Sequence, residues 1–359
     1  MIAKIRAVVD KHQFVNFLIR EIDGKYNKLK VRHSLSSKQK KEIDDYYEHL
    51  CGHKVPYSWH RFMYSRTGNF YKEYIPLSLY RSELIGRMNR YPFMDAYADK
   101  NVSDIIFPNV RQPQILLKNI NGYYYSNGNP IAESDAIALC SNLHDMIIKP
   151  SLESRGVGVK VLTVENGRTN IDGMSIKELF RFYKRDFLIQ ERLKQHRDMA
   201  ALNPSSINTI RLLTYRNDMD VIVLYTVVRI GKKGMTIDNE SQGGISAKIN
   251  ENGSLAKYAY GAPGNDRVQR TDSGILIEGY KIPSYDKVVA SAKLQHLNLP
   301  YFNIAAWDYC VSEDGDPILI EWNANPDLSQ TANGPAFGKY TELIFRESYK
   351  NYNTRNVFW

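Results

Sequence analysis

Hydrophobic positions along this chain change period several times, and each change predicts an element. Ile5, Val8, Val9, His12, Val15, Leu18, Ile19 and Ile22 fall near one face at helical spacing. They predict an amphipathic helix over 1–22, packed on the protein rather than laid on a membrane. Ser36 or Ser37 is placed to cap a second helix through Leu50, and 78–88 reads as a third. Further on, runs at 114–119 and 123–125 flank Asn121-Gly122, a hairpin signal, with Asn127-Gly128 closing the unit. A short helix is expected at 134–143, then a short buried strand ending at Lys149. Strand patterns follow at 187–193, 209–215 and 221–230. The stretch 261–283, punctuated by Gly and Pro, gives no pattern. A helix is expected at 284–297, behind a hairpin of strands at 304–311 and 318–322 turning at Asp314-Gly315. After Ala336 the pattern is a helix and an aromatic end, Val357-Phe358-Trp359.

Composition narrows the class. A chain of 359 residues is long enough for two or three domains with buried cores. No apolar run approaches the roughly 18 residues of a membrane span. Lys4, Arg6, Asp10, Lys11 and His12 interrupt any leader-like apolar run. Cys51, Cys140 and Cys310 are scattered and odd in number, so neither a disulfide framework nor a zinc site is expected, and a reducing cytoplasm fits. His49, Cys51, His53 and His60 lack the paired spacing of zinc ligands and read as structural.

Charge is uneven. The net charge is +9, and residues 1–100 hold 19 Lys/Arg against 11 Asp/Glu. Between Lys25 and Lys41 there are seven basic residues and no acid. This implies an acidic partner such as a glycan, nucleotide sugar, nucleic acid or membrane surface, or else a solvated basic face. The aromatic, basic segment 57–80 carries no known nucleic-acid signature, so no nucleic-acid partner is expected.

Three stretches carry candidate chemistry. In the last hairpin, Asp308 lies on one strand, with Glu321 and Asn323 two apart on the other and so on one face. Two carboxylates and an amide oxygen suit a hard cation such as Mg2+; an acidic wet face is the alternative. Upstream, a strand delivers Lys149 into a loop of small residues containing Ser154, Gly156 and Gly158. Backbone N–H groups in such a loop reach phosphate oxygens, although the P-loop pattern itself is missing. Arg211 and Arg229 fall inside apolar strands, where each must pair with a carboxylate or face a ligand.

The order Asp308, Glu321, Asn323, Pro326 resembles the metal-binding hairpin of ATP-grasp ligases. Lys149 with its loop resembles that family's phosphate loop, and Lys100 its earlier nucleotide-binding lysine. The strand at 187–193 resembles its hinge, with Glu191 and Leu193 beside the nucleotide and Asp198 as a substitute for the ribose acid. Asn203-Pro204-Ser205-Ser206, Asp238-Asn239 and Gly243-Gly244 are similar to the sugar-transfer-associated subgroup, a likeness running from about Tyr46 to the C-terminus.

The resemblance implies an α+β ATP-grasp fold, two subdomains clamping ATP, behind a mainly helical, basic N-terminal region. The expected bounds are 1–98, 99–345 with a hinge at 187–194, and a tail at 346–359. It implies ATP and Mg2+, with Asp308, Glu321 and Asn323 on the metal and Arg211 and Arg229 orienting the acceptor. The implied reaction joins a carboxylate to an amine through an acyl phosphate. The acid would be an acidic sugar or polysaccharide precursor, with peripheral contact to glycan-assembly machinery. A kinase acting on a small hydroxyl substrate and a non-catalytic nucleotide-binding scaffold are the alternatives.

Overall fold

The computed structural model describes residues 2–153, 156–218, 220–235, 238, 243–262 and 267–350, with 2–8 as backbone only. Three helices open the chain: α1 (Ile2–Asn27), α2 (Ser37–Cys51) and α3 (Ser58–Thr67). Ser36 caps α2 reciprocally. Its hydroxyl accepts the Gln39 N–H while the Gln39 side chain accepts the Ser36 N–H. Ile22 of α1 packs with Phe62 and Met63 of α3 and with Tyr74. The helix expected at 78–88 is one helical run, Leu77–Leu79, Tyr80–Leu84 and Ile85–Met88, with a π-helical turn in the middle. Tyr80, Leu84 and Ile85 on this run are fully buried.

Six antiparallel strands form a smaller sheet: β1 (Ile115–Ile120), β2 (Tyr123–Ser126), β3 (Asn129–Ile131), β4 (Met146–Pro150), β5 (Lys160–Leu162) and β8 (Phe187–Glu191). Their spatial order is β3-β2-β1-β8-β4-β5. β6 (Val164–Glu165) and β7 (Arg168–Thr169) pair separately. The Asn121-Gly122 turn joins β1 to β2 as expected. Asn127-Gly128 does not close the unit but turns the chain into β3, an edge strand of three residues. The following helix is shorter than its pattern, Glu133–Leu139.

A second antiparallel sheet holds β9 (Thr209–Asn217), β10 (Asp220–Ile230), β11 (Ile245–Ile249), β12 (Leu255–Tyr260), β13 (Ile304–Val311) and β14 (Pro317–Asn323). Their order is β12-β11-β10-β9-β13-β14. The helix Tyr285–His296 packs behind β9 and β13. There the buried His296 bonds the Thr214 hydroxyl at 2.8 Å and the Phe302 carbonyl at 3.0 Å, and Trp307 Nε1 donates to the same hydroxyl at 2.7 Å. The mixed helix and antiparallel sheet make an α+β protein.

Apolar burial divides into two main bodies. Leu117, Ile148, Leu179, Phe180, Phe187 and Ile189 belong to the core of the smaller sheet. The larger core runs from Ile43, Tyr47 and Leu84 through Leu212 and Trp307 to Phe345. α2 and the helical run at 77–88 therefore share the core of the larger sheet, while Ile22, Phe62 and Met63 of α1 and α3 form a smaller cluster of their own. Among the described residues, no helix is long and apolar enough to cross a membrane.

Candidate active site

Strand register decides which side chains meet between the two sheets. In the smaller sheet Ile147 pairs with Gln190 and Lys149 with Leu188, so these four share one face. Ile148 and Ile189 point the other way, into the core. In the larger sheet Asp308 lies directly opposite Glu321 on one side and Arg211 on the other. A register shift follows Asp308, so the hairpin is aligned differently above and below it. Ile147, Lys149 and Gln190 line one wall of a cavity of about 390 Å3, and Thr209, Asp308 and Glu321 line the other. A second cavity of about 450 Å3 shares Lys100, Lys149, Gln190 and Glu321 with the first and adds Asn323. The two are lobes of one cleft, with both lysines and Glu321 at its waist.

Lys149 is the more deeply buried of the two lysines in this cleft. It is 7% exposed. Burial pushes its pKa down to about 8, opposed by the Glu321 charge and reinforced by Lys100. Among the described residues no hydrogen bond or ion pair reaches its ammonium. Lys100 is held differently: its Nζ donates to the carbonyls of Ser151 (3.2 Å) and Glu153 (2.6 Å) and lies 4.0 Å from Glu321.

Asp308 is 2% exposed and sits within a charge chain. Arg211 donates Nε to Oδ1 at 2.7 Å and Nη2 to Oδ2. Arg229 Nη1 lies 3.6 Å from Asp308 Oδ2, and its Nη2 lies 3.3 Å from Asp238. Asp238 in turn accepts from the Thr209 hydroxyl and, at 3.3 Å, from the Thr209 N–H. Burial raises the Asp308 pKa, yet the Arg211 and Arg229 charges prevail and hold it below the ordinary carboxylate value. For Asp238 burial wins over Arg229, and its pKa is raised.

The remaining expected residues are placed less uniformly. Glu191 and Leu193 line the first lobe. The Glu191 carboxylate is already engaged, accepting the Gln114 N–H at 2.9 Å. Asp198 lies on the helix Arg197–Leu202, beside His196 and Arg197, and lines neither lobe. Arg229 lines the first lobe, whereas Arg211 lines neither and is turned to Asp308. In the loop after β4, Gly156 reaches the first lobe and Ser154 lies outside the described residues. Gly158 has φ +72°, and a Cβ there would come within 2.8 Å of Pro150. A side chain would push this turn off the strand that carries Lys149. Sequence patterns did not single out Thr209 and Asp238 as site residues. Asp238 stands in a polar loop with no periodicity, and only the fold brings it to Arg229.

The donors gathered at the waist can hold an anion and a hard cation together. Asp308, Glu321 and Asn323 offer oxygens, the donor type Mg2+ takes. Asn323 Nδ2 is buried without a hydrogen-bond partner among the described residues, as a donor awaiting a phosphate oxygen would be. Among the described residues, no three His, Cys, Asp or Glu side chains cluster closely enough to hold a metal by themselves.

Two antiparallel α+β units with a cleft between their sheets, cationic on one wall and acidic on the other, define an ATP-grasp protein. More narrowly, the chain belongs to the sugar-transfer associated ATP-grasp family, whose model matches residues 79–344. No curated protein matches it. Among solved structures it is similar to an L-amino acid ligase from Bacillus licheniformis, with 12% identity and a TM-score of 0.38, covering 70% of this chain and 48% of that one. It is also similar to a D-alanine–D-alanine ligase from Bacillus anthracis, with 16% identity and a TM-score of 0.40, covering 70% and 67%. A biotin carboxylase from Campylobacter jejuni shows 12% identity and a TM-score of 0.41, covering 73% and 47%. The chain thus spans about half the length of the first and third of these.

Proposed function

We propose that this protein is an ATP-dependent carboxylate–amine ligase acting on an acidic sugar or polysaccharide precursor. The observation that carries the reading is Lys149. A buried ammonium, with no hydrogen-bond or ion-pair partner among the described residues, faces the buried Asp308 and the partly exposed Glu321 across a cleft, in a chain of the ATP-grasp family. Desolvating such a charge is costly unless an anion compensates it. A nucleotide polyphosphate supplies that anion.

In the proposed reaction an oxygen of the substrate carboxylate attacks the γ-phosphorus. The P–O bond to ADP breaks and its electron pair leaves with ADP. The amine nitrogen then attacks the acyl carbon, the C–O bond to phosphate breaks, and nitrogen releases a proton. Lys149 and Lys100 bind phosphate oxygens, and the apolar walls of the first lobe, Ile147, Val161 and Leu193, seat the base. Glu321, Asp308 and Asn323 would hold Mg2+, which neutralises charge on the phosphates. Arg229 orients the acceptor from the lobe it lines, and Arg211 acts through its grip on Asp308. The small-residue loop after β4 limits water, which otherwise hydrolyses an acyl phosphate.

Trapping tests this reading. With Mg-ATP, hydroxylamine and a panel of uronic acids and amino acids, hydroxamate should form in step with ADP. A stable phosphoester without hydroxamate or free phosphate would assign a kinase instead. Nucleotide binding with no turnover on any acid would assign a scaffold.

A further inference from the structure

Away from the cleft, a cavity of about 400 Å3 opens between α1, α3 and the chain that follows β14. This size is within the roughly 300–1,000 Å3 of small-molecule sites. Its apolar wall is aromatic: Phe14 and Phe17 from α1, Trp59 and Phe62 from α3. Trp59 and Phe62 lie with ring centroids 5.9 Å apart. Phe17 is 60% exposed and belongs to this aromatic lining rather than standing alone on the surface. The indole Nε1 of Trp59 is buried and has no hydrogen-bond partner among the described residues.

The polar wall is mixed and leans positive. Lys25, Arg66 and Arg81 line it against Glu21 and Asp327. Lys25 pairs with Glu21, and Arg81 with Asp327. Arg66 donates to the carbonyls of Gly261 (2.6 Å) and Ala262 (3.1 Å). Flat aromatic faces beside planar guanidinium and carboxylate groups match a ligand with an apolar ring face and a polar rim. A pyranose ring has that shape. The cationic excess, inside a region rich in Lys and Arg, selects one that carries carboxylates.

The cavity is joined to the catalytic hairpin by a short segment. Asp327 follows Asn323 by four residues, a reach of at most about 14 Å. Arg81 fastens this segment at Asp327, and the Tyr225 hydroxyl fastens it again, accepting from the Ser329 N–H at 2.9 Å. The geometry points to a saccharide subsite here: an acidic oligosaccharide seats a distal unit on Trp59 and Phe17 while its reacting end lies in the cleft. This rests on the ligase reading for the fate of that end, but the subsite binds independently of it. Binding energy gathered at such a distance serves to hold the reacting carboxylate in place.

Calorimetry with a galacturonic acid hexamer, with maltohexaose as neutral control, tests the subsite on the full chain. The acidic hexamer should bind, more weakly as salt rises, and the neutral one should bind far less. Phe17→Ser, at an exposed position that leaves folding intact, and Trp59→Leu should each weaken the acidic hexamer about tenfold. Neither should change the affinity for Mg-ATP. Equal binding of both hexamers, no binding of either, or retention of affinity in both variants overturns the proposal. Binding of anionic lipid vesicles that both variants abolish, with no binding of the acidic hexamer, assigns the cavity to lipid instead and also overturns it. Acidic hexamer bound by a protein that takes no Mg-ATP would sink the ligase reading and leave the subsite standing.

Discussion

Arg211 and Asp308 sit directly opposite each other on adjacent strands and share two parallel hydrogen bonds in the interior of the larger sheet. Each oxygen of Asp308 thus already accepts from a guanidinium before any cation arrives. Each also keeps a second lone pair. The arginine therefore fixes the carboxylate's orientation and keeps it ionised, at the cost of competing for its charge.

Arg211→Ala should destabilise the protein by about 3–5 kcal/mol, because it leaves Asp308 buried with only the more distant Arg229. Arg211→Lys should recover part of this, since an ammonium lacks the two-pronged geometry. Urea midpoints at constant m-value measure both. Equal stability of the alanine variant and the parent would mean that the pair contributes nothing.

Glu321→Gln should keep the fold and abolish Mg-ATP turnover. Glu321 is partly exposed, and the only ion pair it makes among the described residues is the 4.0 Å one with Lys100. Little stability depends on it, whereas loss of a phosphate-bridging metal ligand removes several kcal/mol of charge stabilisation. ADP release by a variant with an unchanged circular dichroism spectrum is the measurement; near-parental release would remove Glu321 from the site.

Nucleotide binding should take up protons near pH 8. Lys149 in the free protein has a pKa of about 8, so it is about half neutral there. A polyphosphate favours the ammonium form and raises that pKa, and a proton enters on binding. Calorimetry in buffers of different ionisation enthalpy reports the uptake. Lys149→Met should abolish it and weaken ATP by about 1.5–3 kcal/mol, with adenosine little affected. Uptake unchanged in the variant would place the titrating group elsewhere.

Stability should fall as pH drops from about 6.5 to about 4. His60 and His296 are buried, and burial lowers the pKa of each to about 4. In that window the unfolded chain binds protons that the folded one does not. The stabilisation is fully present above the unfolded pKa and is lost toward the folded one. Each histidine contributes about 1.4 kcal/mol per pH unit there. His296→Gln should flatten the slope in a urea series. His296 spans Thr214 and Phe302, so this variant also lowers overall stability, and the slope is the diagnostic quantity.

Much of this architecture was legible because period-two patterns are local. Lys149 alternates with the core residue Ile148, which alone directs the lysine to the opposite face. The Asp314-Gly315 turn placed the terminal hairpin, and two-residue spacing put Glu321 and Asn323 on one side. What stayed hidden depends on contacts distant in sequence. Arg211 meets Asp308 across 97 positions, and the register of β9 on β13 chooses that partner over Glu321. Asp238 meets Arg229 across nine positions that carry no periodic signal. The basic residues before 100 suggested a separate region. Ile43, Tyr47 and Leu84 from that stretch pack into the larger core, a long-range contact that the charge pattern does not carry.

The separation of the two main cores has a thermal consequence. Leu117, Ile148 and Ile189 hold the smaller lobe together with no share in the cluster around Leu212 and Trp307. Heat is then free to melt one lobe before the other, giving two overlapping endotherms in scanning calorimetry. A Mg-nucleotide, meeting Lys149 on one wall through phosphate and Glu321 on the other through its metal, would act as a rivet between them. Its signature would be the fusion of both endotherms into a single, later and sharper peak.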